Sequence, residues 1–145
     1  MQLRMMYDKG IVYCDVNSDK RFEGYTDVLH GGMLFGILDI IIWYAVFMET
    51  KKICTTRQTE MDFLKPVMCN RHYIAKGKFL SIKGQDIFAK AWVENQNGEL
   101  CARVNATFRE EKDTPVGRFI DKFDFSRTSS KIKQHFYSLI HKGSE

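Results

Sequence analysis

The most apolar stretch of the chain is Gly31–Met48, GGMLFGILDIIIWYAVFM, whose only charge is Asp39. Its length and its apolar character on every face predict a core helix wrapped by sheet, from about Gly32 to about Thr50. At 1.5 Å per residue such a helix is about 28 Å long. Lys51 and Lys52 follow it, where the exposed carbonyls of a helix end favour positive charge. Upstream, Ile11–Val16 alternates weakly and predicts a strand, with a shorter one near Leu3–Tyr7. A loop, FEGYTDVLHGG, leads from there into the helix.

Downstream the pattern changes to runs rich in Val, Ile, Phe, Tyr and Trp. TTRQTEMDFL predicts a strand that stops at Pro66, which cannot donate to a ladder. His72–Ile82, Ile87–Asn95 and Leu100–Phe108 predict three more strands. Between the last two, Asn95–Gly98 (NQNG) predicts a hairpin with positive φ at both central positions. One early helix followed by consecutive antiparallel strands defines an α+β domain with the helix packed on one sheet. Beyond Arg109 the chain is charged and irregular. Ser129 or Ser130 then offers an N-cap, and Ile132, Phe136, Leu139 and Ile140 recur at helical spacing up to Gly143, a candidate glycine cap. The expected organisation is a domain over 1–110, and a linker with an amphipathic helix over 111–145 packed on the domain or on a partner.

Composition changes this picture little. A chain of 145 residues is one domain by length, and 44% apolar with 28% charged residues is ordinary for a globular protein. The net charge of +4 is spread along the chain. It suits an anionic small molecule without demanding one, and the absence of a basic stripe with interleaved aromatics argues against nucleic acid. Cys14, Cys54, Cys69 and Cys101 are widely separated, so neither metal-ligand spacing nor a disulfide framework is expected. The start, MQLRMMYDKG, has no long apolar core, so no signal peptide and a cytoplasmic location are expected. A membrane span is disfavoured because an ionised aspartate near the helix middle is penalised by about 3 kcal/mol.

The candidate chemistry lies at the start of the helix. Chemistry at a carbonyl group needs a base or nucleophile on one side of the carbon and hydrogen-bond donors at the oxygen. Gly31 and Gly32 leave free N–H groups without a side chain in the way, and Asp39 lies two turns into the helix in surroundings hostile to an idle charge. Asp39 as a buried hydrogen-bond partner at a subunit seam is the bland alternative. His30 can act as a general base, but capping the helix or bracing the loop is the preferred reading. Trp43, Tyr44 and Phe47 suit an acyl pocket and the core equally well.

The run VLHGGMLFGILD followed by TTRQTEMDFLKPV resembles the hot-dog thioesterase superfamily, nearest its phenylacetyl-CoA thioesterase branch. The shared features are His30-Gly31-Gly32, the acidic residue nine positions after the histidine (Asp39), and the phrase Phe63-Leu64-Lys65-Pro66. The match runs in order over roughly residues 10 to 110. The resemblance implies a curved antiparallel sheet wrapped round the central helix, acting on acyl-CoA as a homodimer or dimer of dimers, with no cofactor and no metal. It implies a site at the subunit interface, where Asp39 activates water or attacks the thioester and the Gly31 N–H holds the carbonyl oxygen. Gly32 and Tyr25 are candidates for substrate contact. Thr59 and Lys65 are candidates to reach the neighbouring subunit's site, and Lys65 and Arg71 to meet CoA phosphates. Some relatives carry an Asn or Gln six residues before the histidine, where this chain has Gly24. Two alternatives remain open: a non-catalytic acyl-CoA or fatty-acyl binding module, and more weakly a hydratase, for which the Asp-x-x-x-x-His pairing is missing.

Overall fold

The computed structural model describes residues 2–113, 126 and 128–142, with side chains described as far as residue 138. Six strands form one antiparallel sheet: β1 (Met6–Asp8), β2 (Ile11–Val16), β3 (Cys54–Phe63), β4 (Tyr73–Lys83), β5 (Asp86–Glu94) and β6 (Leu100–Glu110). Their order is β1-β2-β4-β5-β6-β3, which makes β1 and β3 the two edges. Helix α1 (Gly31–Thr50) lies in the concave face, and α2 (Ser130–Lys142) follows the sheet in sequence. The expected α+β hot-dog architecture is therefore the observed one. Most of the irregular stretch, the side chains of Leu139 and Ile140 in the expected apolar stripe, and the candidate cap Gly143 lie outside the described residues.

Period two places the core. Ile87, Ala89, Ala91 and Val93 of β5 point at the helix and are at most 2% exposed, while Phe88, Lys90, Trp92 and Glu94 face outward. Small residues let α1 descend onto the centre of the sheet. At Gly77 of β4 a Cβ would lie 2.5 Å from Ile41 Cγ2 and 3.1 Å from the Ile41 carbonyl oxygen, so only glycine fits there without a shift. The β5–β6 connection differs in one respect from expectation. Only Gly98 has positive φ (+76°), the Gly98 N–H donates to Asn95 O, and Asn95 Oδ1 accepts from the N–H groups of Asn97 and Glu99. The asparagine side chain holds the turn, and a glycine in the left-handed region closes a three-residue loop with the strand register shifted at Glu94.

Within this wrapped arrangement the sheet leaves one stripe of α1 uncovered. Leu34, Ile37, Leu38, Ile41, Ile42, Ala45 and Val46 are buried, but Met33 is 37% and Ile40 45% exposed, with Gly32 also open to solvent. The physical reason is geometric: a single curved sheet of six strands encloses about one half of a cylinder. α1 is long and apolar enough to cross a membrane by length and composition, but half of that window is packed inside the protein.

Candidate active site

The approach to α1 is tied down by its own loop. A 3-10 turn at Lys20–Phe22 is capped by Asp19, whose carboxylate is held below the usual range, to about 2, by the Arg21 side chain and N–H. The His30 N–H donates to Phe22 O at 2.8 Å and the Leu29 N–H to Val67 O at 2.8 Å, which fixes where the helix begins. His30 is then the N-cap: its Nδ1 accepts from the Gly32 N–H at 3.0 Å, and its carbonyl accepts from Met33 and Leu34. With Nδ1 used as an acceptor, the ring proton sits on Nε2. Gly31 is left as the helix-start residue whose N–H has no partner among the described residues. A Cβ on Gly31 would lie 3.2 Å from the Phe63 ring, so the glycine lets the end of β3 close against the helix start.

Asp39 lies on the uncovered side of α1, half exposed, and its Oδ1 accepts from Thr56 Oγ1 of β3 at 3.3 Å. Thr56 is the residue that sequence reasoning missed. The pairing of β3 with β6 slips between Thr56 and Gln58, and across that slip both Thr56 and Thr59 lie in the rows that face the helix. No spacing rule announces such a bulge. Thr59 pairs with Ala106 and is half-buried on the same concave surface. Lys65 is elsewhere: its Nζ pairs with Glu99 at 2.7 Å, beside the β5–β6 turn. Tyr25 is 86% exposed at the loop tip. At Gly24 a Cβ would lie 3.2 Å from both the Cα and the ring of His30, which is tighter than ordinary contact. The amide that some relatives place there is thus absent from a position packed against His30.

Other nucleophiles are poorly placed. All four cysteines are free and buried, and burial pushes the Cys14 and Cys54 thiols up to about 11, leaving them protonated. No group of His, Cys, Asp and Glu among the described residues is arranged to hold a metal ion. Trp43 stacks on Phe47 at 5.3 Å and donates from Nε1 to Cys54 O at 3.0 Å, so it packs α1 to the start of β3.

An antiparallel sheet round one long helix agrees with the comparisons to known proteins. The family model described as the thioesterase superfamily matches residues 26–102, and the chain belongs to that superfamily. An uncharacterized protein of Schizosaccharomyces pombe is 27% identical over 117 residues, covering 77% of this chain and 66% of the relative. Protein RHA08564, a thioesterase superfamily protein of known structure, has a TM-score of 0.66 and 23% identity over 70% of this chain and 49% of its own. The structure of smu.793 from Streptococcus mutans bound to acetyl-CoA has a TM-score of 0.69 and 21% identity, covering 76% of this chain and 89% of that one. The chain thus spans about half of the first of these structures and about two thirds of the yeast relative.

Proposed function

We propose that the protein is an acyl-CoA thioesterase that hydrolyses a CoA thioester to free acid and CoA, and that it works as a homodimer or dimer of dimers. The observation that carries the reading is the pair formed by Asp39, held by Thr56 on the open side of α1, and the unpartnered Gly31 N–H at its start. Family membership and a relative bound to acetyl-CoA support the substrate class.

Geometry supports two subunits. Gly31 and Asp39 are eight residues apart, about 12 Å along one helix axis. A reacting carbonyl needs its donor about 3 Å from the oxygen and its attacking group within about 3.5 Å of the carbon. One chain cannot supply both to one thioester. A Gly31 N–H from one subunit and an Asp39 from the other can. The open side of α1, with Met33, Ile40 and the exposed Phe63, is apolar surface suited to that contact. The free edge of β3, a ten-residue strand, offers unpaired backbone groups beside it.

In the proposed mechanism the acyl carbonyl oxygen sits on Gly31 N–H, polarised by the partial positive charge of the helix start. Asp39 either removes a proton from water as it adds to the carbonyl carbon, or adds itself to give a mixed anhydride that water then opens. The C–S bond breaks in both cases, and the thiolate takes up a proton to leave as CoA. Thr56 holds one Asp39 oxygen and leaves the other for the reaction. His30 acts through the backbone by fixing Gly31 and Gly32.

Thiol release from a series of acyl-CoAs, followed with a thiol reagent, tests the reading. Hydrolysis that disappears in Asp39→Asn is the expected result. Tight binding of a non-hydrolysable CoA thioether with no hydrolysis of any acyl-CoA would favour a binding module instead. The glycine at position 24 is the feature that such an outcome would explain.

A further inference from the structure

The side of α1 away from Asp39 holds a second concavity. Val12 of β2 with Tyr44 and Met48 of α1 form its floor, residues 2–7 form one wall, and Ile132 and Phe136 of α2 cover it. Its volume is about 800 Å³, within the roughly 300–1,000 Å³ of small-molecule sites. It is separate from the Asp39 site: Thr56 belongs to the β3 edge, whereas Tyr7, which bonds Glu49 across this hollow's end of α1, belongs to the β1 edge.

Arg4 and Lys131 stand on the lining, both exposed to solvent, and among the described lining residues no Asp or Glu joins them. Neither cation has an acidic partner among the described residues. Burial raises the Tyr44 hydroxyl above its ordinary range, so it adds no negative charge. Two cations distant in sequence therefore line one hollow with methionine, aromatic and aliphatic side chains, beside the polar Gln2, Thr128 and Ser129. Methionine adapts its shape to flexible chains, and guanidinium and ammonium groups both bind carboxylate. A polyphosphate would leave the apolar floor unused, and a neutral lipid would leave the cations unused.

We infer that this hollow is a second ligand site, for a single-chain amphipathic carboxylate of the fatty-acid type. Arg4 and Lys131 hold the headgroup, and the chain lies between Met48 and the cover formed by α2. The inference stands independently of the hydrolytic reading.

Calorimetric titration of the full chain with oleate below its micellar concentration tests it. One saturable site per chain is expected. The double variant Arg4→Glu, Lys131→Glu alters only exposed side chains and should weaken oleate at least about tenfold, while oleyl alcohol binds as before. Ile132→Trp, which fills the hollow, should weaken both ligands. Saturation with a non-hydrolysable CoA thioether, or the Asp39→Asn change, should leave oleate binding intact. Loss of acyl-CoA hydrolysis would then not touch this result. No saturable oleate binding, equal affinity in the charge-reversed protein, or displacement by the thioether would each overturn the inference. So would binding to anionic lipid vesicles with none to free oleate, which would make the two cations a membrane contact.

Discussion

The two flanks of α1 are finished differently. On the β1–β2 flank the chain covers itself: Phe136 of α2 is 4% exposed and stacks on Phe47 at 5.2 Å, and Tyr7 ties β1 to Glu49. On the β3 flank it stops short. Met33, Ile40 and Phe63 remain exposed, and between them lie the groups best suited to chemistry, Gly31, Asp39 and Thr56. The tail thus covers one flank and leaves the other bare. On the proposed reading a second subunit and a thioester occupy the bare one.

The strongest test of that contrast is Asp39→Asn. It keeps the size of the side chain and an acceptor for Thr56 but removes the charge, so turnover should fall at least about a hundredfold. Because Asp39 is half exposed in the single chain, the change should leave the melting temperature of that chain nearly unaltered; a large loss of fold would make Asp39 structural. Placing charge on the bare flank, as Met33→Glu with Ile40→Glu, should come next. Sedimentation should show folded monomers in place of dimers, with hydrolysis lost because the two halves of the site separate. A dimer that survives both charges would put the interface elsewhere.

The closed flank should behave in the opposite way. Phe136→Ala removes the ring that packs on Phe47 and should cost about 3 kcal/mol in a denaturant titration, with kcat per folded dimer kept. A variant that stays folded yet hydrolyses nothing would give the tail a part in the site. Gly77→Ala bears on both flanks, because it pushes Ile41 and the whole helix off the sheet. Stability should drop by about 2 kcal/mol, and unchanged stability would mean that α1 shifts without penalty. The smallest effect is expected of Thr56→Val, which leaves Asp39 in place but frees its second oxygen. Loss in kcat of less than about tenfold, with KM unchanged, would fit an orienting hydrogen bond. A loss equal to that of Asp39→Asn would make Thr56 part of the proton transfer.

Most of the fold was legible because its signals are local. Weak alternation located β2, and runs rich in β-branched and aromatic residues located β4, β5 and β6 within a residue or two, apart from the continuous apolar run of α1. The resemblance carried by His30-Gly31-Gly32 and Asp39 pointed to the superfamily that the family model matches. What the sequence could not display was relational. An all-apolar helix reads alike whether sheet surrounds it or a partner must complete the cover, so the bare stripe at Met33 and Ile40 was invisible. Thr56 took its place beside Asp39 through a slip in strand register, while Thr59, two strand positions before Met61, looked equally suitable. The Lys65 pair with Glu99 was equally hidden, since it depends on how β3 leaves the sheet. Gly77 needed the helix above it to acquire a meaning.

The burial of the four thiols has a practical consequence. With Cys14, Cys54, Cys69 and Cys101 all enclosed, and Cys14, Cys54 and Cys101 pushed toward the protonated form by that enclosure, the folded protein should be nearly silent toward a colorimetric thiol reagent. Signal in such an assay then counts released CoA alone. The same silence makes the reagent a gauge of integrity: a preparation that reacts before substrate is added has opened, and complete opening should register four equivalents per chain.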